Sequence, residues 1–111
     1  MQAADLVSQF SLTVVAGKGG LERTMAGGHC GDLLSEVMAN APVGCVWITI
    51  QTHQNIIAVA VLKEMAAIIL TGGNQPDEST CLKADAEGIP VLLSNERTYG
   101  LAGKLYAAGV V

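Results

Sequence analysis

Hydrophobic positions are densest between Val46 and Gly73, where VWITIQTHQNIIAVAVLKEMAAIILTGG alternates apolar runs with short polar breaks. Val46 to Gln51 is a β-branched and aromatic run of strand length. Thr52-His53-Gln54-Asn55 is a polar turn in which Asn55 is placed to cap a helix. Ile56 to Met65 is that helix, and Ala66 to Leu70 is a second apolar run stopped by Thr71-Gly72-Gly73. A helix of about ten residues returns the chain by roughly 15 Å, enough to lay the second strand parallel to the first. Such a crossover is right-handed. The helix is apolar almost all round until Lys63-Glu64, which predicts cover on more than one side.

The flanking pattern extends this β-α-β unit. Leu6, Val7 and Phe10 share a face of a short helix over Ala3 to Phe10, and Leu12 to Ala16 reads as a strand ending at a glycine. Leu21 to Met25 is a second short strand. The amphipathic run Asp32 to Ala39 is a helix with Asp32 as its N-cap, ended by Asn40, Pro42 and Gly44. Downstream, Asn74-Gln75-Pro76-Asp77-Glu78 starts a helix that runs from Ser79 to Glu87 and stops at Gly88. Ile89 to Leu93 is a third parallel strand, with Pro90 near its beginning, and Thr98 to Ala108 is a last helix closed by Gly109. The prediction is one α/β domain over residues 1–111, with a mainly parallel sheet flanked by helices.

Composition narrows the function. Half of the residues are hydrophobic, few are charged and aromatics are scarce, so the core is built from Val, Ile, Leu, Ala and Met. So low a charged fraction in a small domain has two readings: apolar surface shared with a second copy, or a merely well-buried domain. A net charge of −4, with six Lys and Arg spread from Lys18 to Lys104, excludes a basic stripe for nucleic acid. Ile56 to Leu70 is too short and too interrupted to span a bilayer, and MQAADLVSQF lacks the basic start of a signal peptide. The expectation is a cytoplasmic protein without a membrane role. Cys30, Cys45 and Cys81 are far apart and form no zinc or redox spacing, so they read as reduced thiols, and neither metal nor cofactor is expected.

Candidate chemistry lies in the turns. Gly17-Lys18-Gly19-Gly20 is neither a Walker loop nor a dinucleotide fingerprint and reads as a hairpin or bulge loop between strands. The three parallel strands are each followed by a polar turn and a helix, which gathers the turns at one sheet edge, where ligands settle against helix N-termini. The candidate ligand-binding residues are Thr52, His53, Gln54 and Asn55; Thr71, Gly72, Gly73 and Asn74; and Ser94, Asn95 and Thr98. Hydroxyls, amides, one imidazole and bare glycine backbone suit an anion or a phosphorylated small molecule. The same residues also serve plain structure, as helix caps and tight turns. No triad order or nucleophile elbow is present, and the carboxylates read as caps or solvated faces, so no catalytic residue is expected.

The chain resembles the DRTGG domain family from about Gln9 to Gly109. The resemblance is carried by Leu21-Glu22-Arg23 with Gly27-Gly28, by Asp32-Leu33-Leu34-Ser35-Glu36-Val37-Met38-Ala39-Asn40, by Trp47 to His53, by Thr71-Gly72-Gly73 and by Gly88-Ile89-Pro90. Arg23 and Thr71-Gly72-Gly73 match four of the five name residues; Glu22 stands where Asp is expected, and Cys45 replaces an acid expected after Gly44. The resemblance implies a layered α/β sandwich similar to the N-terminal domain of HPr kinase and of the Mur ligases. It also implies a regulatory module of the kind found beside CBS domain pairs, one that helps to form dimers; the resemblance establishes no activity of the module itself. The kinase chemistry of HPr kinase needs a Walker loop that this chain lacks. The combined expectation is a stand-alone, dimeric regulatory domain binding a small phosphorylated or nucleotide ligand at the turn cluster. The alternatives are an interaction module with empty turns and a small enzyme using His53.

Overall fold

A computed structural model describes all residues from Met1 to Val111. The strands are β1 (Thr13–Ala16), β2 (Gly28–Cys30), β3 (Val46–Thr49), β4 (Ala67–Leu70) and β5 (Val91–Leu93). The helices are α1 (Ala3–Phe10), α2 (Leu34–Asn40), α3 (Asn55–Leu62), α4 (Glu78–Glu87) and α5 (Thr98–Ala107). One sheet of five strands runs in the order β1-β5-β4-β3-β2. β2 to β5 are parallel to their neighbours, and β1 joins β5 antiparallel at one edge.

The alternation within β3 and β4 builds two cores. Trp47, Ile68 and Leu70 point to the face of α2, α3 and α4, where they meet Val37, Ile56, Ile57 and Ala84. Val46, Ile48, Ala67 and Ile69 point to the other face and pack with Leu6 of α1 and with Leu101 and Leu105 of α5. Every residue of these two strands is buried, as expected where both sheet faces are covered. The expected cover of α3 on several sides also holds, because it contacts both α2 and α4. It stops earlier than its apolar run, at Leu62: Glu64 takes a left-handed φ of 50° and turns the chain, leaving Met65 as a buried residue of the link to β4.

Three expectations are corrected. Leu21–Met25 is not a sheet strand; it runs beside the N-terminus, with the amides of Ala3 and Ala4 donating to the carbonyls of Arg23 and Leu21, and with Gln2 and Thr24 forming an isolated bridge. The strand lies further on, at Gly28–Cys30, where Gly-His-Cys has little β preference and is drawn into the sheet by pairing with β3. Lys18–Gly20 is a short 3-10 turn after β1, entered through a left-handed Gly17, and joins no hairpin. Asp32 does not cap α2, whose N-cap position is Leu33. Its carboxylate instead accepts from Thr49 Oγ1 at 2.8 Å and from the Ile50 amide at 2.9 Å, fastening the loop after β2 to the end of β3. An anionic acceptor of two hydrogen bonds predicts that Asp32→Ala lowers stability by about 2 kcal/mol, read from urea unfolding. A loss under about 0.5 kcal/mol would show that water replaces it.

Candidate functional site

The carboxyl ends of β3, β4 and β5 bring the three polar turns to one edge of the sheet. After β4, Gly72 and Gly73 adopt φ of 68° and 78°, two consecutive left-handed residues that only glycine takes without strain. Thr71, 1% exposed, shares a 2.7 Å hydroxyl contact with Thr98 at the start of α5. The Gly72 amide donates to the Glu96 carbonyl, and Asn74 Nδ2 donates to the Thr71 carbonyl. Ser94 is buried and its Oγ accepts the Glu96 amide, turning the chain into α5. Thr71, Gly72, Asn74, Ser94 and Thr98 thus belong to one network between the second and third turns.

The first turn stands apart from that network. Thr52 faces α4, its carbonyl accepting the Asp77 amide and Thr80 Oγ1. His53 is exposed, and its Nδ1 accepts the Asn55 amide at 3.0 Å, so its ring serves the start of α3. Asn55 is the first residue of that helix, with Gln54 at the cap position, so Asn55 is not the cap itself. The helix needs its amides met, and the imidazole does this where an Asn was expected to.

Among the clefts of the molecule, one reaches this edge. It has a volume of about 430 Å³ and is lined by Gln9, Phe10, Ser11, Ser94, Asn95, Glu96 and Lys104. Thr52 to Asn55 and Thr71 to Asn74 line none of the clefts. Because β1 is antiparallel, its start and the end of α1 come to the carboxyl end of β5, with Thr13 beside Leu93. That placement brings in Gln9, Phe10 and Ser11, which the sequence reading missed; the signal was the strand after α1, whose direction could not be read from its own residues. Lys104 is the cation of the cleft and pairs with Glu96 at 2.7 Å.

A second polar cleft, about 360 Å³, lies at the opposite end of the sheet between Gly19, Gly20, Glu22, Arg23 and Gly88. Arg23 makes no ion pair; its Nε donates to the Gly88 carbonyl at 3.2 Å, where Gly88 ends α4 in a left-handed turn. The Gly17 amide donates to the Asp85 carboxylate at 2.7 Å, so Asp85 takes the place an anion would have in this glycine turn. Asp85 is therefore a clasp rather than a solvated face of α4.

Reactive groups are sparse. His29 Nε2 lies 3.0 Å from Glu36 Oε1, and no group of three His, Cys, Asp or Glu side chains is placed to hold a metal ion. Burial pushes the Cys45 thiol up to about 11; burial and then Asp32 raise that of Cys30, and burial and then Asp85 and Glu78 raise that of Cys81. All three thiols stay protonated at neutral pH and are poor nucleophiles.

The DRTGG domain family model matches residues 5–108. The chain belongs to this family. The DRTGG fold is seen also in a crystal structure of the CBS and DRTGG domains of the regulatory region of Clostridium perfringens pyrophosphatase, complexed with the activator diadenosine tetraphosphate. That structure superimposes with a TM-score of 0.72 at 12% identity, over 92% of this chain and 44% of the other. This DRTGG chain thus spans less than half of that regulatory region. No protein of curated function matches it by sequence. The name residues of the family sit at two ends of the sheet here, Arg23 under the start of β5 and Thr71-Gly72-Gly73 after β4.

Proposed function

We propose that the chain is a non-catalytic regulatory domain that binds a small phosphorylated or nucleotide ligand at the carboxyl ends of its parallel strands. It acts as a homodimer in the cytoplasm, where its free thiols stay reduced. No helix is long and apolar enough to cross a membrane. The observation that carries the reading is the paired left-handed Gly72-Gly73 turn, locked to Glu96 and Thr98 beside a polar cleft with a lysine in it. The Gly73 amide, left without a protein acceptor while that of Gly72 is held by Glu96, and an ammonium group are donors of the kind a phosphate needs. Ligand binding by the regulatory region of the Clostridium perfringens pyrophosphatase, which contains the same fold, supports a regulatory role. In this reading Ser94, Asn95 and Lys104 form the cleft wall, Gly72, Gly73 and Asn74 the adjoining rim, and Thr71 and Thr98 hold the rim in place. Thr52, His53, Gln54 and Asn55 form its outer side. His53 has a structural part in this reading, its Nδ1 accepting the amide of Asn55 at the start of α3.

A second reading, an interaction module with empty turns, draws on the absence of Thr52–Asn55 and Thr71–Asn74 from any cleft. Thermal melting against nucleotides, inorganic phosphates and organic acids separates the two. A ligand at a hundred times its Kd adds roughly 2.7 kcal/mol, a rise of about 10 °C in a domain of this size. The expected result is a shift with one phosphorylated class that falls at least tenfold in apparent affinity in Lys104→Ala, whose side chain is mostly exposed and carries little of the fold. No shift across the panel would favour the interaction module.

A further inference from the structure

The helices cover the sheet unevenly. α2, α3 and α4 share one face, whereas α1 and α5 alone share the other. Two helices of about 10 Å each fall short of five strands spaced by about 4.8 Å. The shortfall is visible beside α5, where the short edge strand β2 lines the gap with Gly28, His29 and Cys30. An apolar groove remains there, about 160 Å³ in volume, with Ile48, Ala102, Tyr106 and Val110 among its walls.

Ala102 and Tyr106, which line the groove, belong with Tyr99 and Gly103 to one stripe of α5, at i, i+3, i+4 and i+7 from Tyr99. Tyr99 is 93% exposed and Tyr106 67%, and a Cβ added at Gly103 would meet nothing within 4 Å. The stripe holds no charge: Lys104 lies on the α1 side, with Glu96. In size it reads large, small, small, large about a midpoint between Ala102 and Gly103.

That order is its own complement under an antiparallel two-fold. We infer that this face binds a second copy of the chain, with α5 packed antiparallel on the partner's α5. Tyr99 lies against the partner's Tyr106, and Ala102 against the partner's Gly103. The small pair at the centre lets the helix axes close, and each tyrosine at the ends gains an aromatic neighbour and covers a groove. With Val111, 71% exposed at the groove rim, the patch offers roughly 600 Å² of surface per copy, near the ~800 Å² per partner of a stable interface. A partner of a different sequence would gain nothing from the symmetry of the stripe. The inference rests on the homodimer reading above and gives it a surface.

Sedimentation of the full chain and of a Tyr99→Glu/Tyr106→Glu variant, each checked by circular dichroism, tests it. The expected result is a wild-type dimer and a folded variant whose dimer dissociation constant is at least a hundredfold higher. A folded variant that dimerises as tightly as wild type overturns the α5 surface and leaves the homodimer reading standing. A wild-type chain still monomeric at about 100 µM overturns both. Should the variant fail to fold, oxidative cross-linking in a Cys30→Ser background decides. Tyr99→Cys mixed with Tyr106→Cys should cross-link, while either alone should not, because like positions lie about 10 Å apart along the axis. Cross-linking of the single variants without the mixed product overturns the antiparallel contact.

Discussion

Trp47→Ala should lower stability by about 4 kcal/mol and the melting temperature by roughly 15 °C. Trp47 is fully buried and is the single tryptophan of the chain, standing in β3 between α2 and α3. Truncation opens a large cavity in a wall of Val, Ile and Met side chains, and a closely packed interior collapses only partly around such a gap. The indole also donates to the Gly31 carbonyl at 2.8 Å, holding the loop that follows β2. β2 is three residues long and pairs on one side only, so this bond and the Asp32 contacts with Thr49 and Ile50 carry much of its attachment. Trp47→Phe, which keeps most of the volume and loses the donor, should cost about 1–2 kcal/mol. Urea unfolding followed by circular dichroism measures both, since the fluorophore is removed. A fall under about 5 °C for Trp47→Ala would mean that the core closes over the gap and that the ledge after β2 stands without it.

The parallel core was legible because its signals are local. Apolar runs of strand length in Val46–Gln51 and Ala66–Leu70, broken by polar turns and glycines, leave few alternatives to strand, helix and strand. Asp77-Glu78 and Gly88 mark the two ends of α4 in the same way. The left part of the chain was less legible, because its elements are settled by neighbours distant in sequence. Gly28–Cys30 becomes a strand only through β3, and Leu21–Met25, which has the better strand pattern, is diverted by the N-terminal segment. Asp32 has the type and place of an N-cap, yet two donors at the end of β3 compete for its carboxylate and hold it. The candidate site shows the same division. Its three turns gather at one edge as the strand pattern requires, but the cleft wall from Gln9 to Ser11 depends on the antiparallel placement of β1, which no local residue announces.

The two ends of the sheet differ in how their glycines are placed. At the carboxyl end, Gly72 and Gly73 are exposed and Gly73 bares its amide; a Cβ at Gly73 would meet nothing within 4 Å. At the other end the glycines are filled in: Arg23 clasps Gly88, and Asp85 clasps Gly17. At the first, the Gly73 amide has no protein acceptor, and an incoming ligand would compete only with Glu96, for the Gly72 amide and for Lys104. Binding at the second would have to compete with an internal carboxylate. The resemblance of Gly17-Lys18-Gly19-Gly20 to a phosphate loop is therefore one of composition alone.

Gly17→Ala, set against Gly19→Ala, puts that conclusion to measurement. A Cβ on Gly17 would lie 1.9 Å from the Ile89 carbonyl oxygen and 2.3 Å from its carbon, both backbone atoms, at a φ of 71°. The backbone of the β5 approach must move or the turn must open, and opening it strips Asp85 of the Gly17 amide. The combined strain and lost contacts should cost about 3–5 kcal/mol, a large share of the roughly 5–15 kcal/mol that holds a domain together. Gly19, two residues on, is exposed and has open space around its Cα, so Gly19→Ala should change stability by less than about 0.5 kcal/mol. Urea midpoints of the two variants give the comparison. The phosphate-loop reading predicts another pattern, because a cradle for phosphate needs the backbone amides and close approach along the whole run. On that reading Gly19→Ala would leave the fold intact and weaken phosphate binding. Should the measured pattern be a silent Gly17→Ala and a Gly19→Ala that loses ligand, the second cleft and not the Gly72-Gly73 edge would be the binding end of the sheet.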